Sequence, residues 1–270
     1  MARTREVYAT EYICETVACY ERMVRVMGSD VSHISSELQW AEDVLREFFR
    51  VTGHHPKIEL AREQFRNITL PRAGDARTFL PRKRGLLNDP PLTWEQLEQL
   101  ARQRRSVRWF LPTPVPREII DRAISVAGES PSACNRQPFV FHVFDKGPLL
   151  RQVVKIPGGI RGYEQSISAL AVIVGQLRSF FSERDRHLIY IDGALAAMSF
   201  VLALEVQGVS SCCINWPDVE SKGRALADLL KLESDERPVM CVAFGYADPN
   251  GLVASSPKKP LAQLRRYNLE

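Results

Sequence analysis

The chain has 270 residues, 45% of them hydrophobic and 25% charged, with 36 Lys and Arg against 32 Asp and Glu for a net charge of +4. That balance excludes a disordered or collagen-like chain and suits one large domain or two modest ones. No run reaches the ~18 to 20 unbroken apolar residues that cross a bilayer, because Asp192 and Glu205 interrupt the greasiest stretch, 191–206. The start, Met1-Ala2-Arg3-Thr4-Arg5-Glu6, lacks a short apolar h-region, so a soluble, cytoplasmic protein is expected.

The first 70 residues read as a helical extension. Residues 34–50 place Leu38, Ala41, Val44, Leu45 and Phe48 at helical spacing behind Ser35, a capping residue type. Gly53 to Pro56 end that helix, and 58–65 form a shorter one. Residues 71–92 hold Pro71, Gly74, Pro81, Gly85, Pro90 and Pro91 among basic residues, a composition that sustains neither period and reads as a linker or draped arm. Phe79, Leu80, Leu86 and Leu87 give that arm something to bury.

Residues 93–270 form the main domain. Thr93 caps a helix over 94–104 with Leu97, Leu100 and Ala101 on one face, and Pro116 opens another over 117–127 with Ile119, Ile120, Ala123 and Ile124 inward. Both are expected in the core. Runs rich in β-branched and aromatic residues at 139–144, 169–177 and 238–246 read as buried strands, with a fourth at 209–215. Residues 192–207 are apolar nearly all round, which suits the middle of a domain or an obligate interface.

Six cysteines, at 14, 19, 134, 212, 213 and 241, have neither the spacing of a disulfide framework nor a C-x-x-C pair, and read as reduced thiols. The five histidines form no H-E-x-x-H, so no metal site is expected. The positive charge gathers at Arg82-Lys83-Arg84 and over 102–108, a pattern that suits an anionic small molecule better than a nucleic acid.

Three clusters carry chemistry. Arg104-Arg105-Ser106-Val107-Arg108 gathers three guanidiniums and a hydroxyl that can surround a phosphate, although a solvated basic helix end has the same composition. The loop Ser130-Pro131-Ser132-Ala133-Cys134-Asn135-Arg136-Gln137-Pro138 offers Ser132, Asn135 and Gln137 at spacings that can hold a polar ring edge, or it is an ordinary helix-to-strand connection. Cys212 to Trp216 ends a strand with small and polar residues beside an aromatic.

In this order, together with Asp192-Gly193, V-A-F-G-Y-A-D at 242–248 and S-P-K-K-P-L at 256–261, these segments resemble the nitroreductase-like FMN-dependent oxidoreductases over residues 94–265. The resemblance implies an α+β fold, a mostly antiparallel sheet flanked by helices. It implies a homodimer with FMN at the subunit interface and no membrane or nucleic-acid partner. Arg104, Arg105 and Ser106 then match the residues that hold the FMN phosphate and ribityl chain, and Arg108 the one facing N1 and O2. Pro131, Ser132, Asn135 and Gln137 lie in the loop contributed by the second subunit. Cys213, Ile214 and Asn215 match the strand end near N5, and Lys258 or Lys259 the basic residue that closes on the phosphate.

The implied activity is a ping-pong cycle in which NAD(P)H reduces the flavin and an electron-poor acceptor, nitroaromatic or quinone-like, reoxidises it, with no obligatory acid or base side chain. Reductive dehalogenation, flavin breakdown and a non-catalytic flavin-binding or interaction role remain alternatives. The stretch between Asp145 and Ala169 is shorter than the substrate lid of many relatives. W-A-E-D-V-L-R-E-F-F-R-V-T-G-H-H-P at 40–56 resembles the extension of a subgroup found in exopolysaccharide gene clusters.

Overall fold

The structure, a computed structural model, describes residues 6–27, 36–68, 79–81, 85 and 89–268. It divides into two compact units, Met1–Pro90 and Pro91–Glu270. The expected cap at Ser35, the basic run at 82–84, and Leu86 and Leu87 lie outside the described residues.

The first unit holds α1 (Ile13–Met27), α2 (Ser36–Val51) and α3 (Pro56–Arg66). Ile13, Val17, Tyr20 and Val24 of α1 meet Leu38, Leu45 and Phe48 of α2 and Ile58, Ala61 and Phe65 of α3 in one core. The sequence reading did not single out α1, although its buried residues recur every three or four positions. α3 begins two residues before its expected start. Pro56 occupies its first turn, and the His55 ring accepts from the Lys57 amide. Asp43, buried on α2, accepts from the Phe79 amide at 2.9 Å and so fixes one point of the arm.

In the second unit, α4 (Trp94–Gln103), α5 (Arg117–Gly128), β1 (Phe139–Phe144), α6 (Gly147–Val153), β2 (Ala169–Gln176), α7 (Leu188–Val206), β3 (Ser210–Asn215), α8 (Glu220–Leu230), β4 (Glu236–Gly245) and α9 (Leu261–Leu264) follow in chain order. The four strands form an antiparallel sheet in the order β1-β2-β4-β3, so β3 is an edge. The sheet is covered on both faces, which is why β2 reads as a continuous apolar run. Leu170, Val172 and Val174 pack with α6 and α8, while Ala169, Ala171 and Ile173 pack with α5 and α7. α7 lies close enough that a Cβ on Gly175 of β2 would meet Ile189 at 2.7 Å.

All six cysteines are free. α7 starts four residues before the expected 192. By length and composition it could cross a bilayer, yet Ile189, Ala196, Phe200, Val201 and Leu204 are buried against the sheet. Its other side leaves Tyr190, Ile191, Leu195 and Met198 exposed, so the all-round apolar pattern has two halves, of which the chain buries one.

α4 corrects the sequence reading. Thr93 caps it as expected, in a full capping box with Gln96, but the helix buries no residue, and Trp94 and Leu97 are 70% and 47% exposed. A three-residue apolar stripe fits a core and an uncovered surface equally well. The helices α6 and α8 were not anticipated; α6 is only seven residues long and α8 breaks its apolar face at Gly223.

Candidate functional site

The segment after α4 is held by main-chain bonds rather than by its side chains. The Arg104 amide closes the helix on Leu100, and the backbone then turns extended. Ser106 forms a parallel bridge with Ser211 on the open edge of β3, and the Val107 amide donates to the Ser211 carbonyl at 3.0 Å. Further on, the Leu111 amide donates to Tyr246 at 2.8 Å and the Asp248 amide to Trp109 at 2.9 Å. Extended backbone alternates faces, so Val107 enters the core while Arg108 faces solvent and Ser106 remains half-exposed.

Among the described residues, no carboxylate pairs with Arg104 or Arg108 within 4.0 Å. Arg105 instead turns back to the Arg104 carbonyl at 2.9 Å. The Arg108 guanidinium lies 5.9 Å from the centre of the Tyr163 ring, and its carbonyl accepts from the Ser166 hydroxyl at 2.6 Å. Burial pushes the Tyr163 hydroxyl up to about 12, against the pull of Arg108. Arg104 likewise opposes the rise that desolvation imposes on the Glu205 carboxyl and on the Cys213 thiol, whose surface nonetheless stays exposed. Beside them the buried Ser211 hydroxyl has no hydrogen-bond partner among the described residues, a state that costs stability unless a ligand or water supplies one.

Along β3 the three residues expected near a flavin N5 separate. Because the Ser211 carbonyl points to the open edge, strand parity turns the main-chain groups of Cys213 and Asn215 outward as well, and those of Ile214 toward β4. The Ile214 side chain is buried with Cys212, Leu226 and Cys241. Ile214 is therefore a core residue, and Cys213 and Asn215 are the exposed ones. Asn215 and Trp216 open into a pocket of about 830 Å³ shared with Tyr190, Val219, Pro238 and Val239.

The loop 130–138 is built around a residue of α7. The carboxylate of Asp192 accepts from the Ser132 hydroxyl at 2.8 Å and from the Ala133 amide at 3.0 Å. The Ser132 oxygen in turn accepts from the Gln137 amide at 2.7 Å. Ser132 is thus committed inside its own chain, while Pro131, Asn135 and Gln137 are exposed, the last two joined side chain to side chain at 3.2 Å.

This loop does not meet the arginine segment. It enters β1 at Phe139, level with Gly175 of β2 and Arg237 of β4, whereas Ser211 lies level with Phe244. Three strand spacings of about 4.8 Å and seven residues of about 3.3 Å put the two clusters roughly 14 Å apart across the sheet and roughly 23 Å apart along it. Ser106 is bridged to β3 at Ser211 and Arg104 lies near Cys213, whereas Arg108 packs over Tyr163 and Asn215 lies farther along the strand, at the pocket. Lys258 and Lys259 are exposed on an extended tail, with no ion pair to a described residue. Sequence reasoning missed Ser211, whose burial follows from a pairing about a hundred residues away. Asp192 was matched as part of Asp192-Gly193 but given no role, because a lone carboxylate in an apolar run does not show what it bonds.

A family model described as the Nitroreductase family matches residues 101–160 and 161–246, more than half of the chain. A 4-nitrobenzoate reductase of Pseudomonas putida is 24% identical over 61% of this chain and 91% of its own length. The iodotyrosine deiodinase 1 of Sus scrofa is 23% identical over 63% and 68%. Among solved structures, an FMN-dependent nitroreductase from Clostridium difficile R20291 superposes with a TM-score of 0.54 at 19% identity, over 63% of this chain and 97% of its own. A protein assigned as a nitroreductase, in complex with FMN, from Desulfovibrio desulfuricans gives 0.55 at 19%, over 67% and 98%. These structures share the fold.

Proposed function

The chain belongs to the nitroreductase family of flavin oxidoreductases, and from that premise we propose that it is a homodimer that binds one FMN per subunit and reduces an electron-poor aromatic acceptor with NAD(P)H. The observation that carries this reading is the β3 edge. The Arg104 and Arg108 guanidiniums, without carboxylate partners among the described residues, and the half-exposed Ser106 hydroxyl flank the bridge to Ser211, whose buried hydroxyl has no partner among those residues, a donor set suited to a phosphate and a polyol chain. When bound, FMN supplies a two-electron centre that takes hydride from a nicotinamide and passes it to an acceptor.

The residues of the chain then divide the work. Arg104 and Ser106 hold the phosphate by charge-assisted hydrogen bonds. Arg108, steadied on the Tyr163 ring and through Ser166, puts a fixed positive charge where negative charge develops on reduction. The outward amides of Cys213 and Asn215 offer donors to the ring edge. Loop 130–138 is remote from the 104–108 segment of its own chain and serves the site of the partner subunit, with the exposed stripe of α7 as part of the contact between subunits. The relatives named for 4-nitrobenzoate and iodotyrosine support an aromatic acceptor.

The test is a titration of flavin-free protein with FMN and with riboflavin. Saturation at one FMN per chain, with riboflavin at least tenfold weaker, is the expected result, since only FMN carries the group that Arg104 and Ser106 recognise. Equal affinity for the two would remove the phosphate site.

A further inference from the structure

Asp192 is 2% exposed in the first half of α7, among apolar neighbours, and its bonds go to the loop 130–138. That loop is unusual in its backbone. Cys134, Asn135 and Gln137, none of them glycine, have φ of 52°, 55° and 47°. Asparagine tolerates the left-handed conformation, but Cys134 and Gln137 keep it only when surrounding contacts over-determine it. Here the contacts come from α7. Asp192 ties Ser132 and Ala133, Ser132 ties the Gln137 amide, and the Ser130 hydroxyl meets that of Ser199 at 2.6 Å. The strain is thereby confined to the exposed tip.

We propose that Asp192 is a positioning residue acting in trans: it holds loop 130–138 of its own chain in the shape that closes over the FMN bound by the partner subunit's Arg104. The inference rests on the FMN-binding dimer proposed above. A buried carboxylate that accepts from a hydroxyl and an amide, with no cation beside it among the described residues, is a costly way to fix an ordinary connection. It is reasonable where a strained loop has to meet a ligand within a fraction of an ångström. The loop lies far from Arg104 and Ser106 of its own chain, so the site it completes belongs to the other subunit.

Mixed dimers test this. Asp192→Ala homodimers should bind FMN about tenfold more weakly at both sites. Asp192→Asn, whose remaining carbonyl oxygen can accept both bonds, should stay near wild type. Chains carrying Asp192→Ala are then paired, through separate tags, with chains carrying Arg104→Ala. One site of that dimer combines both defects, while the other combines an intact Arg104 with an intact loop, so one wild-type site per dimer should reappear.

Two weakened sites and no wild-type site would show that Asp192 acts within its own chain and would overturn the inference, as would wild-type affinity in the Asp192→Ala homodimer. If Asp192→Ala fails to fold, Ser132→Ala breaks the same relay and enters the mixed dimer in its place, with the same two outcomes. A wild-type protein that takes up no FMN overturns the underlying reading together with this one, and that is known before any mixed dimer is made.

Discussion

Ser106 and Ser211 stand side by side across a parallel bridge at the open edge of an otherwise antiparallel sheet, joined through the Val107 amide. Main-chain bonding thus fixes the arginine segment, and among the described residues the Arg104 and Arg108 guanidiniums have no carboxylate partner. Arg104→Ala should lose a charge-assisted bond of about 1.5 to 3 kcal/mol, a ten- to hundredfold drop in FMN affinity, with the fold intact. The variant should purify colourless with unchanged circular dichroism. Full flavin content would move the phosphate elsewhere.

Arg108 is distinguished from Arg104 by when its charge matters. Its proposed partner becomes negative only on reduction, so Arg108→Ala should weaken reduced FMN more than oxidised FMN and lower the potential. A differential loss of about 1.4 kcal/mol corresponds to about 30 mV for a two-electron couple, within reach of a redox titration. A merely solvated guanidinium predicts an unchanged potential.

How much of this was legible in the sequence depends on the range of the interaction. The four strands, the cap at Thr93 and the central helix were readable because each is a local pattern. The burial of α4 was misjudged because Leu97, Leu100 and Ala101 state a period and not what covers it. Ile214 was grouped with Cys213 and Asn215 because adjacency in sequence hides the alternation that sends it into the core. The pairing of Ser106 with Ser211, the bond from Ser132 to Asp192 and the distance between the two clusters all depend on strand order, which no local window contains.

Alkaline pH should unfold the protein in a predictable direction. Burial pushes the Cys241 thiol from 9.0 up to about 12 and Tyr163 from 10.0 up to about 12. Above pH 9 the unfolded chain releases protons that the native state retains. Stability present below pH 9 is therefore lost as pH rises toward 12, by about 1.4 kcal/mol per pH unit for a fully buried thiol. Melting curves from pH 8 to 11 should show the decline. Cys241→Ala should make it shallower, and an unchanged slope would mean that Cys241 is not held protonated.

The exposed half of α7 gives a test of assembly. Met198 is 45% exposed within one chain, so Met198→Glu should leave the subunit folded while placing a charge in the proposed contact between subunits. Light scattering should report a monomer with little flavin. A flavin-loaded dimer of normal affinity would place the contact on another surface.

The central claim is that this chain carries a redox-active flavin on the β3 edge, completed by a second subunit. Anaerobic titration of the FMN-loaded protein with NADH and NADPH, followed by its visible absorption, tests it most directly. The account predicts that at least one of the two bleaches the flavin at one equivalent per chain, and that a nitroaromatic or quinone then restores the colour. A bound flavin that neither nucleotide reduces, or a protein that binds none, would contradict it.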